Sequence, residues 1–234
     1  MLLDHDVLID AGTGVGDLSV GELARIDHIF VTHSHMDHVT SIPFLIDTVG
    51  WMRQKPITVY ATRETRTILQ EHLFNWKLWP DFAEIPNPER PVLRFETIHV
   101  GIPVALSGRV ITALPANHVV PAVGYQIDSG RASLVFTGDT TTNDALWERV
   151  NAIDNLRYLI IETALSDRER ELAIASKHLC PSLLADELAK LTRSPDIYIT
   201  HLKPREADLI MEEIGARVAE RRPQMLKNKQ VFEL

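Results

Sequence analysis

The sequence predicts a mixed α/β fold, and three observations carry that prediction. Short β-rich runs bounded by turn-forming residues recur along the chain, segments of helical apolar spacing lie among them, and chemistry-bearing polar residues stand directly after several of the apolar runs. The β-rich runs are 6–11, 28–32, 57–61, 92–98, 109–114, 122–127, 133–137, 158–162 and 197–200, most of them flanked by Gly, Pro, Asp or Asn. Asp128-Ser129-Gly130, between two of these runs, reads as a hairpin turn. Helical spacing is clearest over 63–76, over 181–191, where Leu184, Leu188 and Leu191 share a face, and over 205–221 with Ile210, Ile214 and Val218. Pro181 and Pro204 suit first-turn positions, where a missing N–H leaves no helical bond unmade.

Residues 76–91 break this regularity. They carry Pro80, Pro86, Pro88 and Pro91 together with Trp76, Trp79 and Phe82, which reads as an irregular insertion: either a packed loop or a segment that covers a site or makes a homodimer contact. With no internal repeat, low-complexity stretch or Gly/Ser-rich linker, the expectation is one domain over 1–234.

Composition excludes several classes. The chain has 234 residues, 45% hydrophobic and 24% charged, and no apolar run approaches the roughly 18 residues of a membrane span. The apolar residues 7–9 are flanked by Asp4, Asp6 and Asp10, the opposite of a secretory signal. A single cysteine, Cys180, forms no internal disulfide, which fits a reducing compartment and leads to a cytoplasmic reading. Lys+Arg number 24 against 32 Asp+Glu, and a formal net charge of −8 argues against nucleic acid as a general partner.

The densest chemical signal is Thr32-His33-Ser34-His35-Met36-Asp37-His38, directly after the apolar Ile29-Phe30-Val31. Three imidazoles and a carboxylate within six residues at a strand end point to divalent metal binding, because imidazole suits zinc, manganese or iron and a carboxylate adds the charge that holds a second ion. On an extended segment His33 and His35 point the same way, while Asp37 and His38 can turn to the other side. One loop cannot complete two sites. Further ligands are expected from three other strand ends, at Asn117-His118, Gly138-Asp139-Thr140 and Thr200-His201.

With these motifs in this order, the sequence resembles the metallo-β-lactamase superfamily. The resemblance implies a four-layer αββα sandwich with a metal site at the edge of its two sheets. It also implies that His33, His35 and His118 hold one metal, that Asp37, His38 and His201 hold a second, and that Asp139 bridges them. Two divalent ions, most simply Zn²⁺ with Mn²⁺ or Fe²⁺ as alternatives, against Asp37, Asp139 and a hydroxide leave a charge of roughly +1 facing the substrate. Such a centre makes a hydroxide nucleophile from water and stabilises the anion formed in an in-line displacement, which favours a small anionic ester such as a phosphodiester. Members usually carry another strand and a Gly-rich loop before the counterpart of residues 2–16. The expectation is therefore a fold lacking that strand, unless the start is misassigned or the chain shortened.

Within the superfamily, class B β-lactamases with two zincs typically place cysteine where Asp139 stands, and glyoxalase II-like thioesterases share the ligands but not the segments after Asp139. Ile160-Ile161-Glu162-Thr163-Ala164 and Lys177-His178-Leu179-Cys180-Pro181 are similar to paired segments of class II 3′,5′-cyclic-nucleotide phosphodiesterases and, more distantly, of ribonuclease Z. Residues 33–47, 138–144 and 197–204 are closer to the former. The resemblance implies a dinuclear phosphodiesterase that converts cyclic nucleotides such as cAMP to 5′-nucleotides. A ribonuclease Z-like enzyme, another ester hydrolase (arylsulfatase or thioesterase) and a non-catalytic metal sensor are the alternatives. It further implies a Glu162–His178 pair near the scissile phosphate, in which a histidinium donates a proton to the leaving oxygen or steadies the phosphate. Asp37 is also placed to accept a proton from the attacking water. The bland alternative is that His178 caps the helix near Pro181 and Glu162 makes a surface ion pair.

Other residues read as structural. Gly12, Gly14 and Gly16 lack dinucleotide-loop spacing and fit a tight loop behind Asp10, a residue that in many relatives supports the histidine loop. His5, His28, His72 and His99 read as structural or surface, Cys180 as small and buried, and Thr140, Thr141 and Thr142 as the start of a helix.

Overall fold

Strand order follows chain order in the first half of the molecule. The computed structural model describes residues 1–234, which separate into two units, 1–99 and 100–234, each with its own sheet and its own apolar core. In the first unit β1 (Leu2–Leu3) pairs antiparallel with β2 (Val7–Ile9). The short α1 (Val20–Leu23), opened by a reciprocal Ser19/Glu22 cap, leads to β3 (His28–Phe30), parallel to β2. Two helices, α2 (Met36–Val39) and α3 (Ser41–Val49), precede β4 (Ile57–Ala61), and α4 (Arg63–His72) precedes β5 (Leu93–Thr97); both strands extend the sheet in parallel.

The helix α3 has no counterpart among the expected helices, yet its spacing explains it. Ile42, Leu45, Ile46 and Val49 recur at helical intervals and are all buried, each contributing roughly 1.5–3 kcal/mol relative to exposure. Pro43 lies in its first turn, where the ring is tolerated. In contrast, α4 stops four residues before the expected end at 76. The Asn75 Oδ1 accepts the Lys77 and Leu78 N–H groups at 3.0 and 2.8 Å, and this local turn, with Trp76 at φ 62°, outcompetes continuation of the helix. The irregular stretch that follows packs through Phe82, 2% exposed beside Phe74, while Trp76 and Leu78 stay exposed.

In the second unit, β6 (Pro103–Leu106), β7 (Arg109–Pro115), β8 (Val123–Asp128) and β9 (Ser133–Phe136) form an antiparallel meander. The β6–β7 hairpin turns through Ser107 and Gly108, both with positive φ, the geometry of a two-residue turn that matches strand twist. The expected turn at Asp128–Gly130 is present, with the Asp128 carboxylate accepting the Gly130 N–H at 2.8 Å. From β9 the sheet becomes parallel: α5 (Asp144–Asn151) leads to β10 (Leu156–Glu162), α6 (Arg170–Ser176) and α7 (Pro181–Leu188) lead to β11 (Asp196–Thr200), and α8 (Ala207–Val218) leads to the edge strand β12 (Gln224–Met225). Leu184 and Leu188 of α7 and Ile210, Ile214 and Val218 of α8 share one core with Leu159 and Ile161. The helix after Asp139 begins at Asp144, later than Thr140–Thr142 led us to expect, because Thr140 is buried and bonded elsewhere.

The expected class, mixed α/β with two sheets, is the one observed. No helix is long and apolar enough to cross a membrane.

Candidate metal centre

Most of the chemistry-bearing residues stand at C-terminal ends of strands: Asp10, Thr32, His33, Asp139, Glu162 and His201 follow or end strands with a parallel neighbour, where α/β sheets present their ligand sites, whereas His118 follows the antiparallel β7 and His178 lies between α6 and α7. In the first unit, β2 delivers Asp10 and β3 delivers Thr32 and His33. Asp10 adopts φ 56°, left-handed and uncommon for a side-chain-bearing residue, with its N–H donating to the Phe30 carbonyl at 2.8 Å. Its buried carboxylate accepts the Thr32 N–H at 2.7 Å, the Thr32 hydroxyl at 2.8 Å and His38 Nδ1–H at 2.7 Å. The same Thr32 hydroxyl lies 3.0 Å from His33 Nδ1. One carboxylate therefore governs two imidazoles, His38 directly and His33 through a hydroxyl, and in each the ring turns its Nε2 edge away from the supporting oxygen.

His35 forms the extended entry to α2, and its single turn brings the His38 ring to 4.2 Å from that of His33; the His35 ring is 4.6 Å from His33. Asp37 is exposed, with Oδ2 3.7 Å from His38 Nε2. Of the three loop glycines only Gly12 is sterically required. A Cβ there would lie 1.7 Å from the Asp37 carbonyl oxygen, whereas Gly14 and Gly16 face open space. That close approach lets Ala11 N–H bond the His38 carbonyl and Ser41 Oγ–H bond the Gly12 carbonyl, both at 2.8 Å.

In the second unit, His118 follows β7, Asp139 follows β9, Glu162 ends β10 and His201 follows β11 with φ 63°. Asp139 is 3% exposed, with Oδ1 3.4 Å from His201 Nδ1 and Oδ2 4.0 Å from His118 Nε2. The His118 Nδ1–H donates to the Lys177 carbonyl at 3.2 Å. His178 Nδ1 bonds Glu162 Oε1 at 2.7 Å, and its ring stacks on His201 at 5.2 Å. Asp139, His178 and His201 each bring one ligand-type atom within 4.8 Å of the others.

Glu162 is fully buried, so it makes no surface ion pair, and no side chain caps the start of α7. Burial, and then the neighbouring Asp139 charge, push its carboxyl well above the ordinary glutamate range. The Thr140 and Leu179 N–H groups, at 3.1 and 3.3 Å, and the His178 ring all offer it hydrogens, a donor set matched to the anion. The Thr140 hydroxyl also accepts the Asn117 N–H at 3.0 Å, linking the His118 strand end to Glu162. Thr140 was read from the sequence as the start of a helix and Lys177 only as part of its segment; the supporting role of each went unread, since each acts through a partner more than twenty residues away. Cys180 is buried as expected, and burial pushes its thiol up, away from nucleophilic use.

The donor chemistry fits divalent ions. Imidazoles held at Nδ1 by an aspartate, a hydroxyl or a carbonyl are the supporting pattern of metal-ligating histidines, and a buried aspartate among histidines needs a cation to offset its charge.

A family model described as a beta-lactamase superfamily domain matches residues 5–220. A probable 3′,5′-cyclic-nucleotide phosphodiesterase of Yersinia pestis is 24% identical over 203 residues, covering 76% of this chain and 57% of that protein. A ribonuclease Z of Thermococcus kodakarensis is 32% identical over 124 residues, covering 51% of this chain and 36% of that protein. The chain thus spans between a third and three fifths of the length of these relatives. Among solved structures, unliganded yeast PDE1 superposes with a TM-score of 0.77 at 19% identity, covering 89% of this chain and 68% of that one.

Proposed function

The chain belongs to the beta-lactamase superfamily, and from that premise we propose that it is a dinuclear metal-dependent phosphodiesterase that hydrolyses 3′,5′-cyclic nucleotides to 5′-nucleotides. In this reading His33, His35 and His118 would hold one ion and Asp37, His38 and His201 the other, with Asp139 serving both, and the number of imidazoles favours zinc. The ions supply positive charge that acidifies a water and stabilises the anion of an in-line displacement. Asp10 and Thr32 hold His38 and His33 in the tautomer that leaves the lone pair on Nε2, and the Lys177 carbonyl does the same for His118. A histidinium at His178, held on Nδ1 by Glu162, gives its Nε2 proton to the leaving 3′-oxygen. Asp37, exposed beside His38, accepts the proton of the attacking water.

The observation that carries this reading is the Glu162–His178 pair: a fully buried carboxylate, bonded at 2.7 Å to an imidazole stacked on His201 beside Asp139. A core histidine has no need of a buried anion, whereas a proton donor to a phosphate ester does. Ribonuclease Z-like processing is the second reading, favoured by the relatives of that name, and they leave the expectation against nucleic acid unsupported. The test is steady-state hydrolysis of cyclic AMP, bis-p-nitrophenyl phosphate and a precursor tRNA by zinc-loaded protein, with His118→Ala as control. Turnover of cyclic AMP and the aryl ester, lost in the variant, is the expected result. Cleavage of the tRNA without cyclic AMP moves the assignment to the second reading, and no turnover of any ester defeats both.

A further inference from the structure

We propose that Lys177 is a positioning residue: its left-handed backbone aims its own carbonyl at His118 Nδ1 and the adjoining imidazole of His178 at Glu162. The role of His118 as a metal ligand is taken from the reading above, and the proposal deepens that reading.

The helix α6 ends in a two-bond C-terminal motif. Lys177 N–H bonds the Ile174 carbonyl at 3.2 Å and His178 N–H bonds the Ala173 carbonyl at 2.9 Å, with Lys177 between them at φ 54°, ψ 49°. Glycine is the usual residue at such a position, because a Cβ crowds the backbone in the left-handed region. A lysine there works against local preference, so a compensation is expected elsewhere. Its ammonium supplies one by donating to the His118 main-chain carbonyl at 3.2 Å, while its own carbonyl accepts from the His118 ring at 3.2 Å. Lys177 thus grips His118 at two points, across 59 residues of sequence.

The consequence for the site is directional. A proton held on His118 Nδ1 by the Lys177 carbonyl leaves the lone pair on Nε2, the nitrogen 4.0 Å from Asp139 Oδ2. The next residue places the His178 ring on Glu162 at 2.7 Å and 5.0 Å from the His118 ring. Successive groups of one chain segment thereby serve the ligand and the proton donor, and the conformation of one residue decides both.

The variants Lys177→Ala and Lys177→Gly both lack the ammonium and differ in how readily they adopt the left-handed conformation. Two quantities are read on each: the His118 tautomer, from imidazole nitrogen–proton correlations in the metal-free protein, and zinc affinity, by competition with a chromophoric chelator. Thermal unfolding confirms that each variant is folded. For Lys177→Ala we expect mixed His118 tautomers and a roughly 10-fold loss in affinity for the zinc that His118 would hold. For Lys177→Gly we expect a single Nδ1–H tautomer and affinity within about threefold of the parent, a rescue that loss of general stability would not produce. Lys177→Ala behaving as the parent, or Lys177→Gly failing to restore the tautomer, overturns the proposal. If the parent binds no zinc, the metal-centre reading fails, and the tautomer in the metal-free protein still decides the role of Lys177.

Discussion

The two units solve the same problem, presenting imidazoles and carboxylates at strand ends, by different means. In the first unit His33, His35, Asp37 and His38 come from one six-residue run, and the supporting groups Asp10 and Gly12 come from the adjacent strand end. In the second, His118, Asp139, Glu162 and His201 come from four separate strand ends and His178 from the α6–α7 connection, and they are tied together by Thr140 and Lys177. The compact loop is held by backbone proximity and one carboxylate, whereas the dispersed set is held by a chain of long-range hydrogen bonds. A local cluster is sensitive to sterics at one residue; a dispersed one is sensitive to any broken link.

The largest expected effect breaks the dispersed set. His178→Ala should lower kcat for the aryl phosphodiester by about 10²–10⁴-fold while zinc stoichiometry, measured by elemental analysis, stays at the parental value. Loss of zinc in the same variant would show that His178 is a ligand and would remove its role as proton donor. In the compact loop the corresponding break is steric. Gly12→Ala drives a methyl group into the Asp37 carbonyl and should cost about 1–3 kcal/mol in urea unfolding, while Gly14→Ala should be nearly neutral. Equal effects of the two would refute the close approach as the reason for the glycine.

Asp10→Asn sharpens the contrast, because it keeps the shape but removes the charge that orients two imidazoles. Zinc affinity should fall about 10-fold by chelator competition with little change in fold by circular dichroism. The smallest effect concerns acid stability, where the units behave alike. Burial raises the Asp27 carboxyl, but hydrogen bonds from Lys55 and Arg53 outweigh it and leave the group below its ordinary value. Asp167 is likewise raised by burial and then brought below it by the Ser182 N–H and hydroxyl, Cys180 and Arg217. A depressed folded value contributes stability that is present above the unfolded aspartate value, near about 3.9, and is lost as pH falls through the folded value. The unfolding midpoints of Asp27→Asn and Asp167→Asn should accordingly drop less than the parent's between pH 5 and strongly acidic buffer; a parallel drop would rule out both contributions.

Legibility followed the range of the interactions. The α7 and α8 apolar faces, the Asp128–Gly130 turn and the histidine loop were readable because each is specified by neighbours a few residues apart. Strands β1, β6 and β12 were not, being edge strands of two to four residues with little apolar patterning. The end of α4 was misjudged because the periodicity of apolar residues says nothing of the side-chain bonds of Asn75 that stop it. Thr140 reads in the sequence as a helix start and not as a donor to Glu162, and a lysine at position 177 conceals a helix end that glycine would have announced.

The sequence by itself determined the mixed α/β class and the strand-end placement of the candidate ligands, because strand and helix periodicity and clustered imidazoles are local properties of a chain; the pairing of Glu162 with His178 came from the family resemblance. Only the tertiary structure decided that Gly12 has no room for a methyl group, that Asp10 governs two histidines, and that Lys177 turns left-handed to hold His118. Each of these depends on backbone atoms from distant segments approaching within hydrogen-bonding or contact distance, which no pattern of residue types encodes.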